Sequence, residues 1–456
     1  MALSDNRINW SYMFSRILAF SVALVAASTQ AQVPDFRAAG EAILDGMIAK
    51  FRNAANGLYA EKIDSAQAIV TDYGGTSFVW PASHVLRALR WGSRVNPGKY
   101  ARPFRDYVYA VYRYKGTALG RQGYAVLPGS SELFFDDNAV MLVEMALAQS
   151  EIPDPPILAD AVMAYDFCNL ARDAQWGIPQ IPAQLGKGMF YSMAISPVAH
   201  GAALLYRLTG KPEYLSAAKG YYEALRDPVR LLRDTTTELF NQYTFHVDGR
   251  WSYSASVNGS IQDGRGFRAY QSTYVIRLAL ELHRATGDAR YLREAESMTN
   301  ACLKRSYTPG KGLAENAFWG GNDLSEVLEA LYESTKNPAW HETARDIVGR
   351  LIAYGKDRSG WYPSDENDAR GDWNVDRRAF VPGATTIMGQ AAAASAILQV
   401  AWYAALPVGI GRTPARAHPG TDGPLMLRQG MPVWKGPIPG SIHRADGKSL
   451  PVPSWR

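Results

Sequence analysis

From about residue 36 to about residue 405 the chain is written in the period of helices, with apolar positions three and four apart. The pattern predicts about twelve helices. They run over Phe36 to Ala54, Pro81 to Trp91, Pro103 to Tyr114, Asp137 to Gln149, Pro156 to Ala171, Pro197 to Leu208, Pro212 to Leu225, Tyr270 to Ala285, Ala289 to Arg305, Leu324 to Ser334, Pro338 to Tyr354 and Thr385 to Ala405. Proline recurs at the predicted first turns, where its missing N–H costs nothing. Two kinds of helix emerge. Pro103 to Tyr114, Pro212 to Leu225 and Ala289 to Arg305 mix charges with apolar residues, as one-sided surface helices do. Asp137 to Gln149 and Thr385 to Ala405 are apolar nearly all round and read as buried. Alternation of the two predicts hairpins with an outer and an inner member. About six such pairs close into a double ring, an all-α (α/α)6 toroid.

An internal echo supports the ring. Leu205-Tyr206-Arg207-Leu208-Thr209-Gly210-Lys211-Pro212-Glu213-Tyr214-Leu215 matches Leu282-His283-Arg284-Ala285-Thr286-Gly287-Asp288-Ala289-Arg290-Tyr291-Leu292. A looser copy runs from Leu331-Tyr332 through Thr335 and Asn337 to Trp340. Each predicts a helix stopped by a left-handed Gly or Asn, with the next helix starting at once. These are tight inner-to-outer turns. The outer-to-inner connections vary in length, and variable loops on one rim mark a working face. That rim comprises Thr76 to Trp80, Phe134 to Asn138, Tyr191 to Ser196, Phe267 to Gln271, Glu315 to Asp323 and Val381 to Ala384. The longest connection carries a small β-hairpin near 243–254, Tyr243 to Val247 and Arg250 to Tyr253 around Asp248-Gly249. It either overhangs the cleft and offers Trp251 to a ligand, or packs as a flap on its own aromatics.

Composition narrows the picture. The 456 residues are 47% apolar and 20% charged, as in globular proteins, and 12 Trp and 25 Tyr supply many rings suited to sugars. A formal net charge of +5 is too mild for a nucleic-acid partner. Residues 1–31 read as a secretory signal, with Arg7 and Arg16, an apolar run from Ile17 to Ala27, and small residues at Thr29-Gln30-Ala31. No later stretch is long and apolar enough to span a membrane, so the expectation is a secreted or periplasmic monomer. Cys168 and Cys302 lie in helical patterns and read as core. The seven His lack zinc-site spacing, and the loop carrying Asp365, Asp368, Asp372 and Asp376 lacks an EF-hand's pattern, so no metal or cofactor is expected. Residues 406–456, rich in Pro, Gly and Arg, read as a tail without helical period.

The candidate chemistry sits at Leu133-Phe134-Phe135-Asp136-Asp137-Asn138. Two adjacent carboxylates follow two aromatics where an apolar helix begins. Like charges this close cannot both ionise freely, and a split pair is what acid-plus-nucleophile cleavage of a glycosidic bond uses. The same residues also suit a plain helix cap. The pair falls at the entry to the second inner helix, where a cleft should open. Trp80, Asn138, Tyr191, Gln271, Trp319 and Asn322 are the rim candidates for sugar contacts.

Phe135-Asp136-Asp137-Asn138 resembles the aromatic-Asp-Asp motif of glycoside hydrolase family 76, the α-1,6-mannanases and related transglycosylases. Val79-Trp80 and Ala269-Tyr270-Gln271 are weaker points of similarity, and the resemblance covers roughly Phe36 to Ala405. It implies a retaining mechanism, with Asp136 as nucleophile and Asp137 as general acid/base. The helix N-terminus favours an ionised Asp136, whose charge favours a protonated Asp137. Adjacent residues in a regular helix point about 100° apart, so a local departure from helical backbone is expected. The implied substrate is an α-1,6-mannan-type oligo- or polysaccharide. A sugar epimerase or polysaccharide lyase on the same toroid, and a non-catalytic glycan-binding protein, are the alternatives.

Overall fold

The computed structural model describes residues 34–406, apart from 258–259, 266–268, 310–311, 314–321, 357–359 and 363–384. The signal-like segment 1–31, the tail 407–456, Trp319 and the acidic loop around Asp368 therefore lie outside the described residues. Twelve α-helices run through what is described: α1 (Phe36–Lys50), α2 (Val79–Val95), α3 (Pro97–Ala110), α4 (Phe135–Glu151), α5 (Pro155–Asn169), α6 (Ser192–Thr209), α7 (Pro212–Arg226), α8 (Ala269–Thr286), α9 (Ala289–Ser306), α10 (Asn322–Thr335), α11 (Pro338–Tyr354) and α12 (Ile387–Ala404). The even-numbered helices form the inner ring. Each touches the next, and α12 touches α2, which closes the circle. The odd-numbered helices lie outside, each packed mainly on the inner helix before it, while α1 packs on α12. The expected (α/α)6 toroid is the fold. Small residues permit the close approaches: a side chain on Gly201 would run into Leu142 of α4, and one on Gly40 would meet Leu398 of α12 at 2.7 Å.

The tight turns behave as the echo predicts, with one change. Gly210 and Gly287 are left-handed at φ +70° and +73°, and their N–H groups bond back to Tyr206 and His283 at 2.7 and 2.8 Å. In the third copy the left-handed residue is Lys336, not Asn337. Asn337 instead caps α11, its side chain accepting from the N–H of Ala339. The threonines complete each turn. Thr209, Thr286 and Thr335 donate to the carbonyl four residues back and accept from the N–H two residues on.

Several helices start earlier than the periodicity predicts. Pro103 and Pro197 lie inside α3 and α6, because Pro97 occupies the start of α3 and Ser192 opens α6 with its N–H on the carbonyl of Gln242. Helix α4 opens at Phe135 rather than Asp137, and Phe134, in extended conformation, precedes it without a side-chain cap. The mouth loops supply what caps would. The N–H of Phe135 bonds the carbonyl of Gln180 at 2.8 Å, and that of Ile387 bonds Glu61 at 3.0 Å. The predicted hairpin is present as β4 (Tyr243–Val247) and β5 (Arg250–Ser252), with Asp248 and Gly249 both left-handed. β3 (Met189–Tyr191) adds to it, and the pairs β1–β2 (Lys115–Ala118, Arg121–Tyr124), β6–β7 (Ser254–Val257, Ser260–Asp263) and β8–β9 (Tyr307–Thr308, Gly312–Leu313) were not legible in the sequence. Trp251 packs edge-on against Phe190 at 4.6 Å and beside His246, so the hairpin is a flap folded on its own aromatics.

The ring is not filled with apolar side chains alone. Below the mouth three arginines and three carboxylates interlock: Arg87, Arg277 and Glu144 lie about 12 Å down their helices at 1.5 Å per residue, and Asp323 and Glu326 meet them from the start of α10. Arg87 donates to Glu144 at 2.7 Å, to Asp323 at 2.6 Å and to the hydroxyl of Tyr274 at 3.0 Å. Arg277 pairs with Asp323 and, at 2.8 Å, with Glu326, which Arg90 also approaches at 3.4 Å. Burial alone would raise the Glu326 carboxyl, but Arg277, Arg87 and Arg90 bring it down to about 2. A second, more open cluster lies at the base, where Arg207 and Arg284 hold Glu281 and Arg94 holds Glu151.

Candidate active site

All six inner helices present their N-termini at one mouth, and the aspartate pair stands there on the first turn of α4. Both aspartates lie within the helix, so the expected break in its backbone is not found. Convergence on one substrate is left to the side chains. The carboxyls are 3% and 7% exposed, low for acidic groups, and their surroundings differ. Asp136 accepts two hydrogen bonds, from the N–H of Asp137 at 2.9 Å and from the side-chain amide of Gln180 at 3.0 Å. Asp137 accepts none among the described residues. Burial pushes the Asp136 carboxyl up to about 7 against the pull of those bonds. Burial, and then the charge of Asp136, pushes Asp137 well above its ordinary value. The pair is therefore split in the order that acid-plus-nucleophile chemistry requires.

The remaining candidates divide. Tyr191, at the end of β3, is buried beside the pair; burial first, then Tyr270, Asp136 and Asp137, hold its hydroxyl well above the ordinary value. Trp80 is half-buried on the first turn of α2, and its indole N–H is buried without a hydrogen-bond partner among the described residues. Gln271 is buried on the first turn of α8. Asn138 is fully buried and committed to the protein: its oxygen accepts from the N–H of Tyr124 at 2.6 Å, and its nitrogen donates to the carbonyls of Tyr124 and Phe134 at 2.8 and 2.7 Å. It fastens β2 beneath the start of α4. Asn322 opens α10, and only its backbone is described.

Two features escaped the sequence. Gln180 lies in an irregular loop, and no periodicity marks it. Cys168 of α5 sits behind the pair, its thiol donating to the carbonyl of Phe135 at 3.3 Å; burial, then Asp136, holds it well above its ordinary value. Cys168 and Cys302 are both buried and unbridged, as core residues. Among the described residues no helix is long and apolar enough to cross a membrane.

Comparison with known proteins places this geometry. No curated protein matches the chain in sequence. The α-mannanase BT2949 of Bacteroides thetaiotaomicron is 18% identical with a TM-score of 0.68, covering 81% of this chain and 96% of its own. An inactive variant of the α-1,6-mannanase GH76A of Salegentibacter sp. HEL1_6, with two adjacent aspartates replaced by asparagine and α-1,6-mannotriose bound, is 16% identical with a TM-score of 0.62, covering 80% of this chain and 99% of its own. A D-mannose isomerase is 12% identical with a TM-score of 0.57, covering 79% and 96%. At such identities these likenesses speak for the toroid. The model of glycosyl hydrolase family 76 is more specific and matches residues 36–326, from α1 through the mouth and into α10. Those residues make up well over half of the chain, which therefore belongs to glycosyl hydrolase family 76.

Proposed function

We propose that the protein is an exported retaining glycoside hydrolase that cleaves α-1,6-linked mannan at the pair Asp136 and Asp137. The unequal environment of two adjacent buried carboxyls carries this reading. Asp136, ionised, attacks the anomeric carbon as the glycosidic C–O bond breaks, and Asp137 gives its proton to the departing oxygen. The result is a mannosyl ester on Asp136. Esterification removes the charge that kept Asp137 protonated, so Asp137 becomes a base just when one is needed. It takes a proton from water, whose oxygen attacks the anomeric carbon and frees Asp136; a sugar hydroxyl in place of that water gives transglycosylation. The solved mannanases of the same fold support a mannan substrate, and the inactivity of the Salegentibacter variant lacking its adjacent aspartates supports the role of the pair. Trp80, half-buried on the first turn of α2, offers a ring to the sugar, with Tyr191 and Gln271 at the starts of α6 and α8 as further contacts.

A sugar isomerase is the second reading, favoured by the shared toroid and by His84 and His200 inside the ring. Burial, followed by the charges of Arg87 and Arg277 respectively, pushes both imidazoles down to about 3. Such weak bases suit proton abstraction poorly near neutral pH. The test is reducing-sugar release from α-1,6-mannan by the wild type, Asp136→Asn and Asp137→Asn. Loss of at least 100-fold in both variants is expected. Activity that survives both substitutions would refute the assignment, and interconversion of free mannose and fructose would favour the isomerase.

A further inference from the structure

We propose that Gln180 is a positioning residue of the reaction, selecting Asp136 as the nucleophile while leaving its charge uncancelled so that Asp137 stays protonated. The proposal rests on the mechanism above and adds the part that decides between the two aspartates. Gln180 grips the start of α4 at two points: its carbonyl accepts from the N–H of Phe135 at 2.8 Å, and its side-chain amide donates to Asp136 at 3.0 Å. Its own backbone is fixed in turn, because the side chain of Gln184 accepts from the N–H groups of Gln180 and Ile181 at 3.1 Å each. The same loop runs on to Tyr191, whose N–H bonds Ile178 at 2.9 Å. One loop thus sets both the nucleophile and the tyrosine beside it.

The choice of a neutral donor matters. A hydrogen bond to the charged form of a carboxyl favours that form. An arginine would do the same more strongly, as Arg277, Arg87 and Arg90 do for Glu326 and as Arg207 and Arg284 do for Glu281. It would also cancel the negative charge that, after burial, helps to hold the proton on Asp137. An amide favours ionisation of Asp136 without neutralising it. The other titratable groups facing Asp136 are Asp137 on α4, Cys168 on α5 and Tyr191 on β3, with Tyr270 of α8 next to Tyr191. None of them is a cation, so the amide has no charged competitor among the described residues.

Two substitutions pull the limbs of the pH profile apart. Gln180→Met keeps the shape and removes the donor, so the acidic limb of kcat/KM on α-1,6-mannan moves up by about one pH unit. Gln180→Lys keeps a donor and adds a charge, so the alkaline limb moves down, because Asp137 loses the part of its upward shift that the charge of Asp136 supplies beyond burial. A purely structural role would lower the melting temperature and leave both limbs in place. Carboxyl 13C NMR titration of Asp136 and Asp137 gives the same two shifts without any substrate, so the result does not depend on the glycan chosen. Unmoved limbs and midpoints in both variants, alongside an inactive Asp136→Asn, would overturn the role of Gln180 and leave the mechanism standing. Retained activity in Asp136→Asn would instead remove the mechanism itself. Should Gln180→Met fail to fold, Gln180→Lys decides: a stationary alkaline limb and Asp137 midpoint refute the proposal.

Discussion

The mouth of the ring and its middle both bury charge, and they do so in opposite ways. In the middle, Glu144, Asp323 and Glu326 are matched by Arg87, Arg90 and Arg277, and the Glu326 carboxyl sits at about 2. At the mouth, two carboxyls are placed side by side with one amide and one N–H between them, and both titrate high. Burial is nearly complete in both places, so burial is not what separates them. Pairing is. A buried charge with its counter-charge holds a structure together, whereas a buried charge set against its own kind stores a protonation difference that chemistry can use.

Arg87→Met takes from Glu144 its hydrogen-bonding arginine and leaves only Arg90 at 3.9 Å, while Asp323 keeps Arg277; the loss should cost about 3 kcal/mol in urea unfolding. A smaller loss would mean that water reaches this layer and that its pairing counts for little. The mouth should respond with the opposite sign. The Asp136 carboxyl titrates at about 7, above its ordinary value. Its contribution to stability is therefore fully present below about pH 4 and lost as pH rises through 7. Asp137 carries the same kind of cost, from burial and then from the charge of Asp136, so Asp137→Asn should melt a few degrees higher than the wild type at pH 8 and no higher at pH 4. An equal shift at both pH values would mean that the two carboxyls do not repel. The smallest effect concerns recognition. Trp80→Ala should raise KM roughly three- to tenfold with little change in kcat, as loss of one aromatic contact would. A fall in kcat alone would move Trp80 from binding into catalysis.

Much of this was legible because it is local. The 3.6-residue period gave all twelve helices, and the Thr-Gly punctuation after Tyr206 and His283 gave the turns, since a left-handed stop needs only its own neighbours. Asp136 and Asp137 were legible because adjacency itself creates the repulsion. What stayed hidden depends on residues far apart. Arg87 and Arg90 fall in a predicted helix, and nothing near them in sequence announces Glu144 or Asp323, which lie 57 and 236 residues from Arg87. Gln180 meets Asp136 across 44 residues from a loop without period. Asn138 shows a related limit: beside two candidate acids it read as a sugar contact, yet Tyr124 of β2 and the carbonyl of Phe134 take its hydrogen bonds.

The seam where α1 and α2 meet α12 has a consequence for how the molecule is made. Hairpins such as α6–α7 can assemble from neighbouring sequence as soon as they are synthesised, but the circle joins only when the last inner helix reaches the first. That contact has a very large sequence separation and should be among the slow steps of folding. Until it forms, the chain is an open arc whose inner faces, charged middle layer included, lie in water. An exporting cell would have the whole of that interval in which to move the chain across a membrane before the ring locks.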